Sequence, residues 1–343
     1  MKKSLSKSVS GEALQRLVQA GVESPFLLER IKYAEAATLL SHHLRPMAGT
    51  ERVYPSMVIP QASGRVGISD PPIGNFTADK QYGPKGLRDV VRPDEGFKWI
   101  CPDWSAVEGW IVSHRCQDQA DLEVKRLGLD LHTVTAITIL RYPDPPFEPT
   151  KEALRSESGQ EYRRRVGFDE RTRTLIKNCR YCLNYSHGDK FGRNAENAMD
   201  RYATELQMTT AELREYGRLY LKGKPGLVAW KKQRWDSAWR LKGARTAFGR
   251  RRRFPSTDER QRLNTEKEGL NHEVQGTVAD LMKMTMVALA GIGCRMVLQR
   301  HDGWYSEVPV GWDRMEEYRA IVEREWMIDG RPISFPAEYE EWM

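Results

Sequence analysis

The chain has 343 residues, 40% of them hydrophobic and 29% charged, which suffices for about two ordinary domains and for a packed core. Fifty-four Lys and Arg against 47 Asp and Glu give a formal net charge of +7, which suits a polyanionic partner such as nucleic acid or nucleotide but also many ordinary basic proteins. There is no apolar run of about 18 residues, no secretory-type apolar stretch within residues 1–11, and only five cysteines, so a membrane-spanning helix and a disulfide framework are excluded, and reduced thiols in a cytoplasmic setting with no membrane partner are expected.

Residues 12–48 carry helical apolar spacing, first at Leu14, Leu17 and Val18, then at Phe26, Leu27, Ile31 and Ala34. Ser24 and Pro25 suit a helix start, and Pro46 and Gly49 close the segment. Residues 52–102 turn rich in Gly and Pro, which predicts short strands and loops ending in a buried strand at Phe97 to Cys101 with Asp103 just beyond it. From 105 to about 250 the pattern is helical. It is broken at Gly128 to Asp130 and by the prolines at 143, 145, 146 and 149. Glu170 to Tyr185 reads as one helix with Asp169 as its cap, residues 194–221 as another, and Trp230, Trp235 and Trp239 follow Pro225 and Gly226 at helical spacing. Residues 275–290 predict a Met- and Leu-rich helix. A hairpin follows, with strands at 296–299 and 304–308 around His301-Asp302-Gly303. No repeat at a solenoid period is present.

Two aspartates, Asp103 and Asp302, fall at predicted strand ends. Paired carboxylates on rigid elements can hold two Mg²⁺ ions for phosphoryl-type transfer, although an aspartate in a hairpin turn is more often a turn residue. In the helix 170–185, Arg173, Lys177, Tyr181 and Tyr185 recur every four residues and share a stripe. Two cations followed by two aromatics suit a triphosphate with its sugar and base, or equally a solvated basic face with tyrosines at the core edge. Cys179 and Cys182 have CxxC spacing but no second pair, so packing is the expected role. His42-His43 reads as surface and the three tryptophans as core. Arg250 to Arg253 reads as a phosphate-contacting loop or a plain solvated run.

In combination these segments resemble the polymerase module of family A DNA polymerases. Asp103-Trp104-Ser105-Ala106-Val107-Glu108 is similar to motif A, Asp-Tyr-Ser-Gln-Ile-Glu, and Asp130-Leu131-His132-Thr133-Val134-Thr135-Ala136 to the Asp-Ile-His-x-x-Thr-Ala segment after it. Arg173 to Gly188 resembles motif B, with Tyr181 and the Gly188-Asp189-Lys190 that follows leaning toward the phage-type branch. Asn271 to Asp280 resembles the Asn-x-x-x-Gln-Gly-Thr-Ala-Ala-Asp stretch, and Gln299 to Trp304 resembles motif C, Val-His-Asp-Glu. Gln61 to Arg65 through Asp70-Pro71 is similar to the segment that opens the palm. Six such segments in order cover about residues 30–310.

The resemblance implies an α+β fold, a right-hand palm with an antiparallel sheet and a helical fingers insertion. The expected division is 1–50 helical (thumb remnant or docking segment), 51–112 palm with motif A, 113–250 fingers with motif B, and 251–343 palm with motif C. It implies DNA-directed DNA polymerase activity with two Mg²⁺, primer-template DNA and dNTPs. Asp103, Asp302 and the backbone carbonyl of Trp104 would hold metal. Lys177 would contact the α- and β-phosphates and act as a catalytic acid, and Arg173 and His132 would neutralise the outer phosphates. Glu108 would gate against a 2′-hydroxyl, and Tyr181 would give weak discrimination against dideoxynucleotides. Tyr185, Arg65, Gln275, Asn271 and His301 would meet DNA.

The sequence departs from the family pattern at Gly303, where the family has Glu, at Cys182 and Ser186, where it has glycines, and at Gly74 and Gly109-Trp110. With only about 50 residues before the palm, an exonuclease domain and most of the thumb are expected to be missing, which fits a compact phage enzyme in the host cytoplasm. A separate exonuclease/thumb or processivity subunit is the matching alternative. A non-catalytic nucleic-acid-binding module would need a lost aspartate, and an RNA polymerase is disfavoured by Glu108.

Overall fold

The computed structural model describes residues 14, 17, 22, 24–58, 63–73, 90–185, 202–203, 206, 208–256, 258–300 and 302–342. His301, Gln61, Ala62, Gly74, Ser186, Gly188-Asp189-Lys190 and residues 1–11 lie outside the described residues.

Helix α1 (Pro25–Thr38) starts at Pro25 as expected and passes through a π turn at Leu39–Leu44 and a 3₁₀ turn at Arg45–Met47. Strands β1 (Ser56–Val58) and β2 (Gly67–Ser69) pair antiparallel. Strand β3 runs Phe97–Trp104, three residues beyond the predicted end, so Asp103 lies inside its last turn of pleat and not after it. The extension comes from strand partners on both sides, which local sequence does not reveal. Then come α2 (Val107–Cys116), α3 (Gln119–Arg126), α4 (Leu131–Leu140), α5 (Lys151–Arg155), α6 (Glu157–Val166) and α7 (Glu170–Tyr185). The bounds of α7 are the predicted ones, and Asp169 accepts from the Thr172 N–H at 2.7 Å.

Helix α8 covers Thr210–Lys222, which corrects the expected helix over 194–221. Thr209 and Glu212 form a reciprocal capping box that starts α8 afresh. Pro225 is the first residue of α9 (Pro225–Leu241). The arginine run becomes β5 (Arg251–Arg253), paired with β4 (Gly243–Arg245). Helix α10 spans Arg262–Gly291, much longer than the predicted 275–290, because its polar first half buries Thr265, Gly269 and His272 alongside Leu270 and Val274. Strands β6 (Arg295–Arg300) and β7 (Gly303–Pro309) form the predicted hairpin. The C-terminal part adds α11 (Met315–Val322), β8 (Trp326–Ile328), β9 (Arg331–Ile333) and β10 (Ala337–Trp342).

Strands β10, β3, β7 and β6 make one antiparallel sheet in that order. Its inner face packs on α10, where Leu270, Val274, Val278, Leu281 and Met282 are fully buried. Trp104 anchors the seam. Its ring meets Trp304 edge-on at 5.3 Å, and its indole N–H donates to the Val322 carbonyl at 3.1 Å. Among the described residues no helix is long and apolar enough to cross a membrane.

Candidate active site

The seam of β3 and β7 brings the two aspartates together. Asp103 is the strand partner of Gly303 on one side and of Glu338 on the other. Asp302 sits in the β6–β7 turn, and the Trp104 N–H donates to its carbonyl at 3.2 Å. Asp103 is exposed to the cleft and Asp302 is half-buried. Burial and the charge of Glu108, with Asp103 adding to them, push the Asp302 carboxyl up to about 7 against the pull of Arg65 and Lys177.

Ala106 takes a left-handed φ of 54° and turns the chain from β3 into α2, so that Glu108 falls in the first turn of that helix. Glu108 is buried. It accepts from Arg65 on one oxygen and from the Tyr185 hydroxyl on the other, at 2.7 Å. The same Arg65 guanidinium lies 3.4 Å from the Asp302 carboxylate. Arg65, Glu108, Tyr185 and Asp302 are therefore one linked group, and the predicted sugar gate is fixed in position before any substrate arrives.

Helix α7 presents the predicted stripe. Lys177 Nζ lies 5.9 Å from the Tyr181 ring centre, and His132 on α4 lies 6.4 Å from the same ring. Arg173 makes a two-pronged pair with Asp130, at 2.5 and 3.1 Å. Asp130 also caps α4 through the Thr133 N–H and hydroxyl. Burial alone would raise the Asp130 carboxyl, but the Arg173 guanidinium holds it well below the usual carboxylate range. Burial keeps His132 neutral, with the nearby Arg173, Arg180 and Lys177 charges acting in the same direction against Asp130. Asp103, Asp302, His132, Arg173, Lys177 and Tyr181 all line a single cleft of about 770 Å³. Asn271 and Gln275 lie one turn apart on α10, half-buried, and do not line it.

Behind the stripe, α7 is held by a buried polar network. Arg180 pairs with Asp121 and donates to the Thr135 hydroxyl at 3.1 Å. Asp121 also accepts from Ser113 at 2.6 Å and from Lys224 at 2.9 Å. Lys231 of α9 donates to the Leu183 carbonyl at 2.6 Å, near the α7 C-terminus. Burial lowers the Lys231 ammonium to about 7. The sequence reading missed this network, because its partners come from helices far apart in the chain and leave no local spacing signal.

Arg250 departs from both roles expected of the arginine run. It bonds Asp280 at 2.6 Å and the carbonyls of Ser63 and Gly276 at 3.0 Å, pinning the Arg65 segment to α10. Cys179 and Cys182 form no disulfide and pack at the core edge, and burial pushes the Cys179 thiol up to about 12. Among the described residues no group of three or more His, Cys, Asp or Glu closes around a metal ion, so any ion at Asp103 and Asp302 would draw its remaining ligands from elsewhere.

Sheet, cleft and basic-aromatic helix define a polymerase palm with helical fingers. The family model described as DNA polymerase family A matches residues 166–336. Thermostable DNA polymerase I of Thermus aquaticus is 26% identical over 97% of this chain and 37% of its own length. That of Thermus filiformis is 28% identical over 90% and 35%. DNA polymerase I of Deinococcus radiodurans is 26% identical over 93% and 31%. The chain thus spans about a third of the length of these relatives. In fold it resembles the POL domain of Pol1 from M. smegmatis, solved in complex with DNA primer-template and dNTP. The TM-score is 0.73 and the identity 23%, over 98% of this chain and 56% of that one. The likeness to DNA polymerase family A rests on residues 166–336 in the family model and on relatives 26–28% identical over 90–97% of this chain.

Proposed function

We propose that this chain is a template-directed DNA polymerase module that extends a primer 3′-hydroxyl with dNTPs. The observation that carries this is the meeting of Asp103 and Asp302 at the β3–β7 seam, across one cleft from Lys177 and Tyr181. Relatives named DNA polymerase I and the M. smegmatis complex with primer-template and dNTP support the choice of DNA and nucleotide. In this proposal residues 51–112 and 251–343 form the palm and 113–250 the fingers.

Asp103 and Asp302, with the Trp104 backbone carbonyl, would hold two Mg²⁺ ions. An all-oxygen donor set suits a hard cation that keeps water and phosphate oxygens in its shell. The raised Asp302 carboxyl marks a place where added positive charge is favourable. Bound there, Mg²⁺ supplies Lewis-acid stabilisation and makes the primer hydroxyl more acidic.

The protein's own groups then bind and orient. Lys177 contacts the α- and β-phosphates and donates a proton to the departing pyrophosphate. Arg173, while paired with Asp130, and the neutral His132 contact the outer phosphates by hydrogen bonds. Glu108, clamped by Arg65 and Tyr185, fills the space a 2′-hydroxyl would need. Tyr181 faces the sugar. Tyr185 stacks near the templating base, and Arg65 and Gln275 reach minor-groove acceptors common to all pairs. Asn271 would contact the template, and His301, which lies outside the described residues, would contact the primer end.

Primer extension by the purified chain with Mg²⁺ and four dNTPs at low salt tests the proposal. Incorporation directed by the template base supports it. A chain that binds primer-template yet never incorporates contradicts it.

A further inference from the structure

The cleft has a second basic wall that none of the polymerase roles above uses. Lys151 and Arg155, on α5, line it together with Asp103 and Glu338. Lys151 Nζ donates to the Ser105 hydroxyl at 2.7 Å, two residues beyond Asp103, and to Glu338 Oε1 at 2.6 Å. Arg155 takes the other Glu338 oxygen at 2.8 Å. Glu338 is itself the strand partner of Asp103. The wall therefore stands immediately beside the aspartate seam.

A nucleoside triphosphate brings several negative charges into the cleft. On the α7 side, the Arg173 charge is already offset by Asp130, and His132 is neutral. That leaves Lys177 as the uncompensated cation among the phosphate-contacting residues proposed above. Away from α7 and the aspartate seam, the cleft lining holds three further cations, Lys125, Lys151 and Arg155, against two further carboxylates, Glu152 and Glu338. Lys151 can also leave Glu338 at low cost. Its four-carbon stem is flexible, Arg155 would remain on Glu338, and that carboxylate is 43% exposed.

We propose that Lys151 is a further contact for the polyphosphate of the bound nucleotide, exchanging Glu338 for a phosphate oxygen when dNTP enters. This rests on the polymerase reading above, and the shared chemistry covers both the triphosphate tail and the released pyrophosphate.

The test is equilibrium binding of dATP and, separately, of inorganic pyrophosphate to the full chain with primer-template and Mg²⁺. It is run beside steady-state incorporation. Lys151→Met is expected to weaken both ligands about tenfold and to raise KM with little change in kcat, and Lys151→Arg to restore binding to within about threefold of the original. A purely structural strut between α5 and β10 is separated by the exchange variant, Lys151→Glu with Glu338→Lys. It rebuilds the ion pair and should recover the melting temperature, yet nucleotide binding stays weak. Unchanged binding by Lys151→Met, or recovery of binding in the exchange variant, overturns the inference while the polymerase reading stands. An intact chain that binds neither ligand overturns both.

Discussion

Gly303 and Pro102 approach so closely across the β7–β3 seam that a Cβ on Gly303 would lie 2.5 Å from the Pro102 carbonyl oxygen. Gly303 is also the strand partner of Asp103. A side chain here would push β3 away and carry Asp103 off its alignment with Asp302. This accounts for a glycine at a position where the related motif carries Glu. Gly303→Glu therefore does not supply a missing acid. Both Gly303→Ala and Gly303→Glu should lose about 1–3 kcal/mol of stability and at least about tenfold in synthesis. Thermal unfolding and steady-state incorporation check this, and a Gly303→Glu variant as active as the original would contradict it.

Glu108 is held from two sides by Arg65 and Tyr185, so its carboxylate has a fixed place, which the proposed function assigns to the nucleotide sugar. Glu108→Ala should raise ribonucleotide incorporation relative to deoxyribonucleotide by about 10- to 100-fold. Tyr185→Phe removes one clamp and keeps the other, so its effect should be several-fold smaller. Competition between matched ribo- and deoxyribonucleotides on one template measures both.

The Asp121–Arg180 pair is buried on both partners, with side-chain exposures of 8% and 3%. Breaking such a pair strands a charge. Asp121→Ala should cost about 3–5 kcal/mol in chemical denaturation. Arg180→Met should cost less, because Asp121 keeps Ser113 and Lys224. Equal losses would show that the pair does not act as described.

Lys231 offers a pH test with a definite sign. Burial lowers its folded value to about 7 from the ordinary 10.5. Between those limits the unfolded chain holds a proton that the folded chain has released, so stability rises with pH across the window. Below about pH 7 both states are protonated and the folded chain bears the full penalty of a buried charge. Lys231→Met removes this dependence. Its stability relative to the original should therefore be highest near pH 6 and fall steadily toward pH 10, as denaturant titrations at several pH values would reveal.

What could be read ahead of the structure was whatever the chain encodes locally. Helix α7 was legible to the residue because Asp169 caps it and its apolar and basic stripes keep one period. The aspartate pair was legible because each sits beside a short apolar run. Glu338 opposite Asp103 was not, since strand register between distant segments has no trace in local spacing. Asp121, Arg180 and Lys231 were hidden for the same reason. The start of α8 was different. Thr209 and Glu212 carry the signature of a capping box, but it sits inside a longer helical pattern that masks it. The first half of α10 was missed because small and polar residues, not large apolar ones, fill its buried face.

The catalytic assignment of the β3–β7 seam is tested by comparing the intact chain with Asp103→Ala and Asp302→Ala on one primer-template with Mg²⁺ and dNTPs. Primer-template binding is measured on the same preparations. Either substitution should lower nucleotide incorporation by orders of magnitude while DNA binding and melting temperature change little. Substantial synthesis by either variant would contradict the assignment of the β3–β7 seam as the catalytic centre.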